Sequence, residues 1–121
     1  MKSKDLRMAL LMDYYGAMLT DKQREVMELY YDEDLSLAEI AEHAHITRQG
    51  VRDSIKRGEA YILELEEKLG LADRMALLEE TIGELSEHLS HIRQLNIDSY
   101  FSRPIEETVA TALETAEKAL K

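Results

Sequence analysis

The sequence predicts an all-α protein, and three observations support this fold class. Its 121 residues include one Pro and five Gly, and they are rich in Ala, Leu, Glu and Lys, which favour helices. Residues suited to capping a helix start recur along the chain. Apolar residues make up 45% of the sequence and recur every three or four positions. We therefore expect helices joined by short loops around a small apolar core.

Two helices are predicted before residue 32. Ser3 is the expected N-cap of the first, which runs to about Tyr15 and stops at Gly16. Its predicted apolar stripe consists of Leu6, Leu10, Leu11 and Tyr14. The second helix follows Thr20, with Gln23 as its capping-box partner, and ends in an acidic loop at residues 32–34. Its predicted inner face consists of Val26, Met27, Leu29 and Tyr30.

Residues 36–57 predict a helix-turn-helix. Ser36 and Glu39 form an S-x-x-E capping box for a short helix, and Thr47 is a good N-cap for a second helix directly after it. His45 occupies the turn position at which such motifs usually have Gly. Since His is among the less unfavourable residues at positive φ, we expect a left-handed His45 and a slightly reshaped turn.

The second helix of the motif is basic although the chain is acidic. Residues 48–57 contain four Lys or Arg and one acid, Asp53, which gives +3 on a chain of net charge −10. The candidate nucleic-acid-binding residues are Thr47, Arg48, Gln49, Arg52, Lys56 and Arg57. A basic second helix also occurs in helical bundles that bind no nucleic acid, and this alternative stays open.

In a major groove, these side chains would have different roles. Arg48 and Arg52 would each fork onto guanine, and Gln49 would read adenine. Thr47 at the helix N-terminus suits a phosphate, and the cations at residues 56–57 lie further along as backbone contacts.

The second half of the chain predicts a long helix with a heptad seam. The seam residues, spaced alternately by four and three, are Leu71, Met75, Leu78, Ile82, Leu85, Leu89 and Ile92. A loop at residues 96–103 and a helix opening at Pro104 follow. We divide the chain into a helix-turn-helix domain at 1–70 and a helical C-terminal arm at 71–121. The arm's helices either pack on one another within one chain or form a homodimer, and we expect the homodimer.

Longer stretches of sequence resemble known families. Residues 19–59 resemble the promoter-reading C-terminal domain of bacterial sigma factors, where a Leu-Thr…Gln-Arg-Glu-Val helix precedes a helix-turn-helix. The whole chain looks like the small YlxM (p13-like) family of Gram-positive bacteria and mycoplasmas. The segments that carry this likeness are Leu-Met-Asp-Tyr-Tyr-Gly (11–16), Glu-Leu-Tyr-Tyr (28–31), Ile-Thr-Arg-Gln-Gly-Val (46–51) and Asp-Ser-Ile-Lys-Arg (53–57).

The resemblance implies a sigma-factor-like helix-turn-helix domain with a C-terminal long-helix extension. It also implies a part in, or regulation of, the signal recognition particle pathway. Two functions stay open. One is a regulator that binds DNA; the other is a protein cofactor that stimulates the particle's GTPase, in contact with that protein or with the particle's RNA.

Composition and motifs argue against several other classes. The chain lacks Cys, an apolar signal core and an 18-residue apolar run, so we expect a cytoplasmic protein without membrane insertion. No Gly-rich phosphate loop or nucleophile motif is present, so we expect no enzymatic activity, cofactor or small-molecule substrate. His88 and His91, with Glu84 and Glu87, could ligate a divalent ion, but a solvated helix edge explains them equally well, and we assign no metal site.

Overall fold

The computed structural model describes residues 4–121, and this part of the chain contains six α-helices and no strand. The helices are α1 (Leu6–Tyr15), α2 (Asp21–Tyr31), α3 (Leu37–Ala44), α4 (Arg48–Leu69), α5 (Leu71–Asp98) and α6 (Arg103–Ala119). A 3-10 helix, Gly16–Met18, follows α1. The all-α prediction is confirmed. Within residues 4–121, none of the helices is both long enough and apolar enough to cross a membrane.

Internal contacts divide the chain into two compact units, the first ending at Ala72 and the second running from Asp73 to Lys121. The core of the first unit consists of two apolar clusters. One contains Met8, Leu11, Met12, Tyr15, Leu19, Met27, Ile62 and Ala72. The other lies under the helix-turn-helix and contains Val26, Ile40, Ala41, Ala44, Val51 and Ile55.

The predicted helix signals of this unit form hydrogen-bonded caps. Thr20 with Gln23 and Ser36 with Glu39 are complete capping boxes, in which each pair exchanges side-chain and backbone hydrogen bonds. Helix α4 continues without a break from the motif to Leu69. It ends at Gly70, whose left-handed conformation (φ 59°) favours glycine.

The predictions for α1 need correction. Its N-cap is Asp5, whose carboxylate accepts the Arg7 backbone N–H at 2.9 Å, and the predicted cap Ser3 lies outside the described residues. The predicted stripe is correct in part: Leu11 is buried and Tyr14 packs against the core, whereas Leu6 and Leu10 are 86% and 50% exposed. The buried face consists of Met8, Leu11, Met12 and Tyr15. Both stripes have helical spacing, so periodicity alone does not choose between them.

The second unit is a hairpin of α5 and α6. The predicted loop at 96–103 is shorter, since α5 continues to Asp98. Buried Asn96 closes the turn: its amide donates to the Ser102 carbonyl and accepts the Ser102 N–H, both at 2.9 Å. Arg93 joins the helices through an ion pair with Glu106 at 3.0 Å.

Much of the predicted seam remains exposed. Leu71, Met75, Leu78, Leu85 and Ile92 are between 36% and 54% exposed, while Ile82 and Leu89 are partly buried. On α6, Val109 is buried, whereas Ile105 and Leu120 are close to half exposed. The hairpin therefore carries an apolar face that its own two helices do not cover.

Candidate nucleic-acid interface

The turn of the helix-turn-helix is closed by a left-handed residue. His45 has φ 59° and ψ 41°, the ordinary left-handed values, which confirms the expected left-handed residue. These values give no support to the expected reshaping of the turn. The next N–H, that of Ile46, donates to the Ala41 carbonyl at 3.1 Å, which is the outer hydrogen bond of a Schellman motif. Ile46 packs against the second core cluster. The turn therefore directs the chain from α3 into α4 with its backbone groups satisfied.

The first turn of α4 is fixed by Thr47. The Thr47 hydroxyl accepts the Gly50 N–H at 2.9 Å. A Cβ at Gly50 would lie 3.1 Å from that hydroxyl oxygen, which explains a small residue here. The crowding at Gly50 therefore comes from the side chain of the cap and not from a neighbouring backbone.

The body of α4 is seated firmly on α2 and α3. Val51 and Ile55 are buried in the second cluster. Further along, Gly58 lies so close to Met27 that a Cβ at Gly58 would be 2.2 Å from the Met27 sulfur. From α2, the Lys22 ammonium donates to the Ala44 carbonyl at 2.8 Å, at the end of α3. The exposed side of α4 is thus held on a rigid support.

All six candidate residues are exposed. Four of them, Arg48, Arg52, Lys56 and Arg57, form no ion pair with any carboxylate in residues 4–121. Arg48, Arg52 and Lys56 are spaced by four, so they follow one edge of the helix. These cations therefore remain unpaired within residues 4–121, although the chain as a whole is acidic.

Gln49 differs from the cations, because its amide donates to Asp53 Oδ1 at 3.0 Å. This bond uses one of the two amide N–H donors of Gln49 and holds the side chain toward Asp53, the one acid among residues 48–57.

Two hollows lie along the basic edge. Arg48, Gln49 and Arg52 together line one of about 320 Å³. A second cleft, of about 450 Å³, has Arg52 and Lys56 at its rim; its other lining residues are Tyr30, Leu37, Ile55 and Glu59. Arg52 borders both hollows, so it is central to the basic edge.

Sequence reasoning missed a lysine that supports the motif from the N-terminus. The Lys4 ammonium donates to the carbonyls of Tyr30 and Leu35, the latter at 2.8 Å, and pairs with Asp34 at 3.1 Å. It also lies 3.9 Å from the centre of the Tyr30 ring, a cation–π distance. Lys4 thereby ties down the loop between α2 and α3, in which Asp34 has a positive φ of 53°. No local sequence signal indicates a contact across some thirty residues.

The possible metal ligands do not form a site. His88 and His91 are exposed on α5. Over residues 4–121, no three His, Asp or Glu side chains come together in a way that could hold a metal ion.

Comparison with known proteins identifies the family. The family model described as "Putative helix-turn-helix protein, YlxM / p13 like" matches residues 2–99. The chain belongs to this family. A UPF0122 protein of Thermoanaerobacter sp. (strain X514) is 45% identical over 102 residues, which cover 84% of this chain and 87% of that protein. A UPF0122 protein of Acetivibrio thermocellus is 46% identical over 91 residues, which cover 75% of this chain and 75% of that protein. A UPF0122 protein of Clostridium kluyveri is 49% identical over 75 residues, which cover 62% of this chain and 68% of that protein.

The resemblance to the YlxM family is thus confirmed, and the helix-turn-helix described above is that of a YlxM/p13-like protein. The range matched by the family model ends at residue 99, one residue beyond α5. It therefore contains both helices of the motif and the whole heptad seam.

Proposed function

We propose that this YlxM/p13-like protein is a regulatory protein that binds duplex nucleic acid, DNA in the first instance, through residues 47–57. The observation that carries the proposal is a set of four exposed cations that form no ion pair within residues 4–121, on a helix with a regular cap and turn. In helix-turn-helix proteins the second helix enters the major groove with its N-terminal residues at the base edges.

The position of each side chain on α4 assigns it a role. Arg48 and Arg52 come from the first turns and reach guanine O6 and N7 as bidentate donors. Thr47 and the helix N-terminus receive a phosphate, although the hydroxyl already accepts the Gly50 N–H. Lys56 lies a turn further on and contacts the phosphate backbone, as does Arg57.

The net charge of −10 opposes loose attraction to a polyanion. It does not prevent docking by one helix, because salt screens exposed charges beyond about 8–10 Å. We therefore expect modest non-specific affinity and a larger share of the binding energy from base contacts.

Selection from a random duplex library tests this function. The chain should enrich one sequence, and Arg52→Ala should weaken binding to it by roughly 1–3 kcal/mol and relax the preference at one base pair. Lys118→Ala on α6 is the matched control. It also removes one positive charge, but outside the helix-turn-helix, and it should leave the sequence preference intact. Recovery of no preferred sequence by the chain would refute base reading by α4.

A second candidate function follows from the acidic balance of the chain together with the family resemblance. Here the protein is a cofactor of the signal recognition particle that stimulates its GTPase without binding DNA. The observation in its favour is the charge of −5 on residues 73–121, which contain five Lys or Arg and ten Asp or Glu. Faster GTP turnover by the particle's GTPase, with no DNA retained on a gel, would select this function over the first.

A further inference from the structure

The uncovered face of the α5–α6 hairpin is apolar, and its side chains carry almost no charge. On α5 it contains Leu78, Leu85 and Ile92, which are 45% to 54% exposed. Beside them lies a groove of about 390 Å³ between the two helices; its lining residues are Leu89, Ile92, Pro104, Ile105, Thr108, Val109 and Ala112. We refer to this surface as the hairpin face.

The threonine hydroxyl groups in and beside the hairpin face are already satisfied. Thr81 donates to the Leu77 carbonyl and Thr108 to the Pro104 carbonyl, each at 2.8 Å. Further along α6, Thr111 and Thr115 donate in the same way to carbonyls four residues earlier. Because these donors need no water, burying the face against another helix leaves none of them unpaired.

Two charged residues flank the seam without a partner. With Met75 and Leu78 at the a and d positions of the heptad, Arg74 is at g and Glu79 at the following e. Neither forms an ion pair within residues 4–121. Neither has an opposite charge three or four residues away on α5, where helical neighbours would lie.

A parallel coiled coil brings these two positions together, since each g residue pairs with the following e residue of the other helix. We infer that the occupant of the hairpin face is a second copy of this chain, with the two α5 helices parallel and in register. Arg74 of one copy then faces Glu79 of the other, and the two-fold symmetry makes this pair twice. An antiparallel pair would not bring the two charges together.

The available area suits such a dimer. A half-exposed Leu, Ile or Met offers on the order of 90 Å², so the apolar side chains from Leu71 to Ile105 offer roughly 600–800 Å² per copy, near the ~800 Å² per partner of a stable interface. This inference does not depend on nucleic-acid binding.

Charge reversal tests the pairing. In sedimentation equilibrium of the full chain, Arg74→Glu and Glu79→Arg should each weaken self-association several-fold by placing like charges opposite one another. The double variant R74E/E79R should restore it. Glu80→Arg is the matched control, since Glu80 is at the outward f position, and it should not weaken the dimer. A monomeric parent chain, or a double variant as weak as the single ones, would overturn the inference.

Cross-linking tests the direction. The chain has no Cys, so a single introduced thiol reports without background. A d residue in a parallel, in-register pair lies opposite itself, so Leu78→Cys should form an intermolecular disulfide in nearly all molecules under mild oxidation. Glu80→Cys should not, and circular dichroism checks that both variants remain helical. Equal cross-linking of the two variants, or none at Leu78→Cys, would exclude the parallel pair.

Discussion

The Tyr15 hydroxyl donates a 2.5 Å hydrogen bond to Glu66 Oε1, and both side chains are almost completely buried. The same carboxylate oxygen accepts the Ala72 N–H at 3.0 Å, while the Tyr15 oxygen accepts the Leu71 N–H at 3.1 Å. This network satisfies N–H groups at the start of α5 and ties α1 to the end of α4. A buried carboxylate is tolerated here because donors surround it.

Removal of the Tyr15 hydroxyl should destabilise the first unit. In Tyr15→Phe, Glu66 loses one donor and the Leu71 N–H loses its acceptor, so we expect a loss of about 1–3 kcal/mol in the free energy of unfolding. Urea denaturation measures this. Tyr100→Phe is the control, since Tyr100 is fully exposed and should change nothing. Equal stability of the two variants would show that the network is not stabilising.

Stability should fall at high pH. Burial, and then the hydrogen bond to Glu66, raises the pKa of Tyr15, and burial with the hydrogen bond to Glu59 raises the pKa of Tyr31. An unfolded tyrosine loses its proton near pH 10.0, so above this pH the unfolded state is favoured by ionisation that the folded state resists. The contribution of these two tyrosines to the free energy of unfolding is therefore fully present below pH 10 and is lost as the pH rises above it.

The absorbance of tyrosinate checks this prediction. Of the six tyrosines, Tyr15 and Tyr31 should ionise only together with unfolding, as followed by circular dichroism. The decline in stability above pH 10 should be shallower in Tyr15→Phe. Full ionisation of all six residues while the chain remains folded would contradict the assignment.

Glycine at the turn of the motif should stabilise the fold. His45 is left-handed, a conformation that costs L residues about 1 kcal/mol and glycine almost nothing. We expect His45→Gly to raise the free energy of unfolding by about 0.5–1 kcal/mol. His43→Gly, in the right-handed last turn of α3, should lower it by a similar amount. Thermal denaturation shows whether each variant is more or less stable than the unmodified chain. Destabilisation by His45→Gly would contradict the account.

Two glycine-to-alanine changes should have opposite effects. Gly58→Ala should destabilise by about 1–3 kcal/mol, because its methyl group would overlap the fully buried Met27. Gly83→Ala in α5 meets nothing within 4 Å and should stabilise its helix by about 0.5–1 kcal/mol. Denaturant unfolding measures the free energy of unfolding of both variants. Equal changes in the two variants would rule out close packing of α4 on α2.

Local signals sufficed for much of the fold. Helix starts and stops depend on residues only a few positions away, so the sequence alone predicts them. This holds for the caps at Thr20, Ser36 and Thr47 and for the stop at Gly70. Glu66 was not foreseen as buried, since its partner Tyr15 lies 51 residues away and a carboxylate normally belongs on a polar face. The same long-range bond helps explain why α1 buries Tyr15 rather than Leu10.

The candidate site shows a similar division. The basic edge of α4 can be deduced from spacing alone, because residues four apart share one side of a helix. The engagement of Gln49 by Asp53 also fits that spacing, but side-chain rotamers decide it. The contacts of Lys4 with backbone carbonyls leave no pattern in the sequence, since every residue offers such an acceptor.

The most direct test of nucleic-acid binding by α4 is the salt dependence of affinity for a duplex DNA of arbitrary sequence, measured by fluorescence anisotropy. The affinity of the chain should fall linearly with salt on a log–log plot, and Lys56→Ala should reduce the slope by about one, the value for a single lost phosphate contact. Lys118→Ala should retain the slope of the unmodified chain. An affinity independent of salt, or a slope unchanged in Lys56→Ala, would contradict the account.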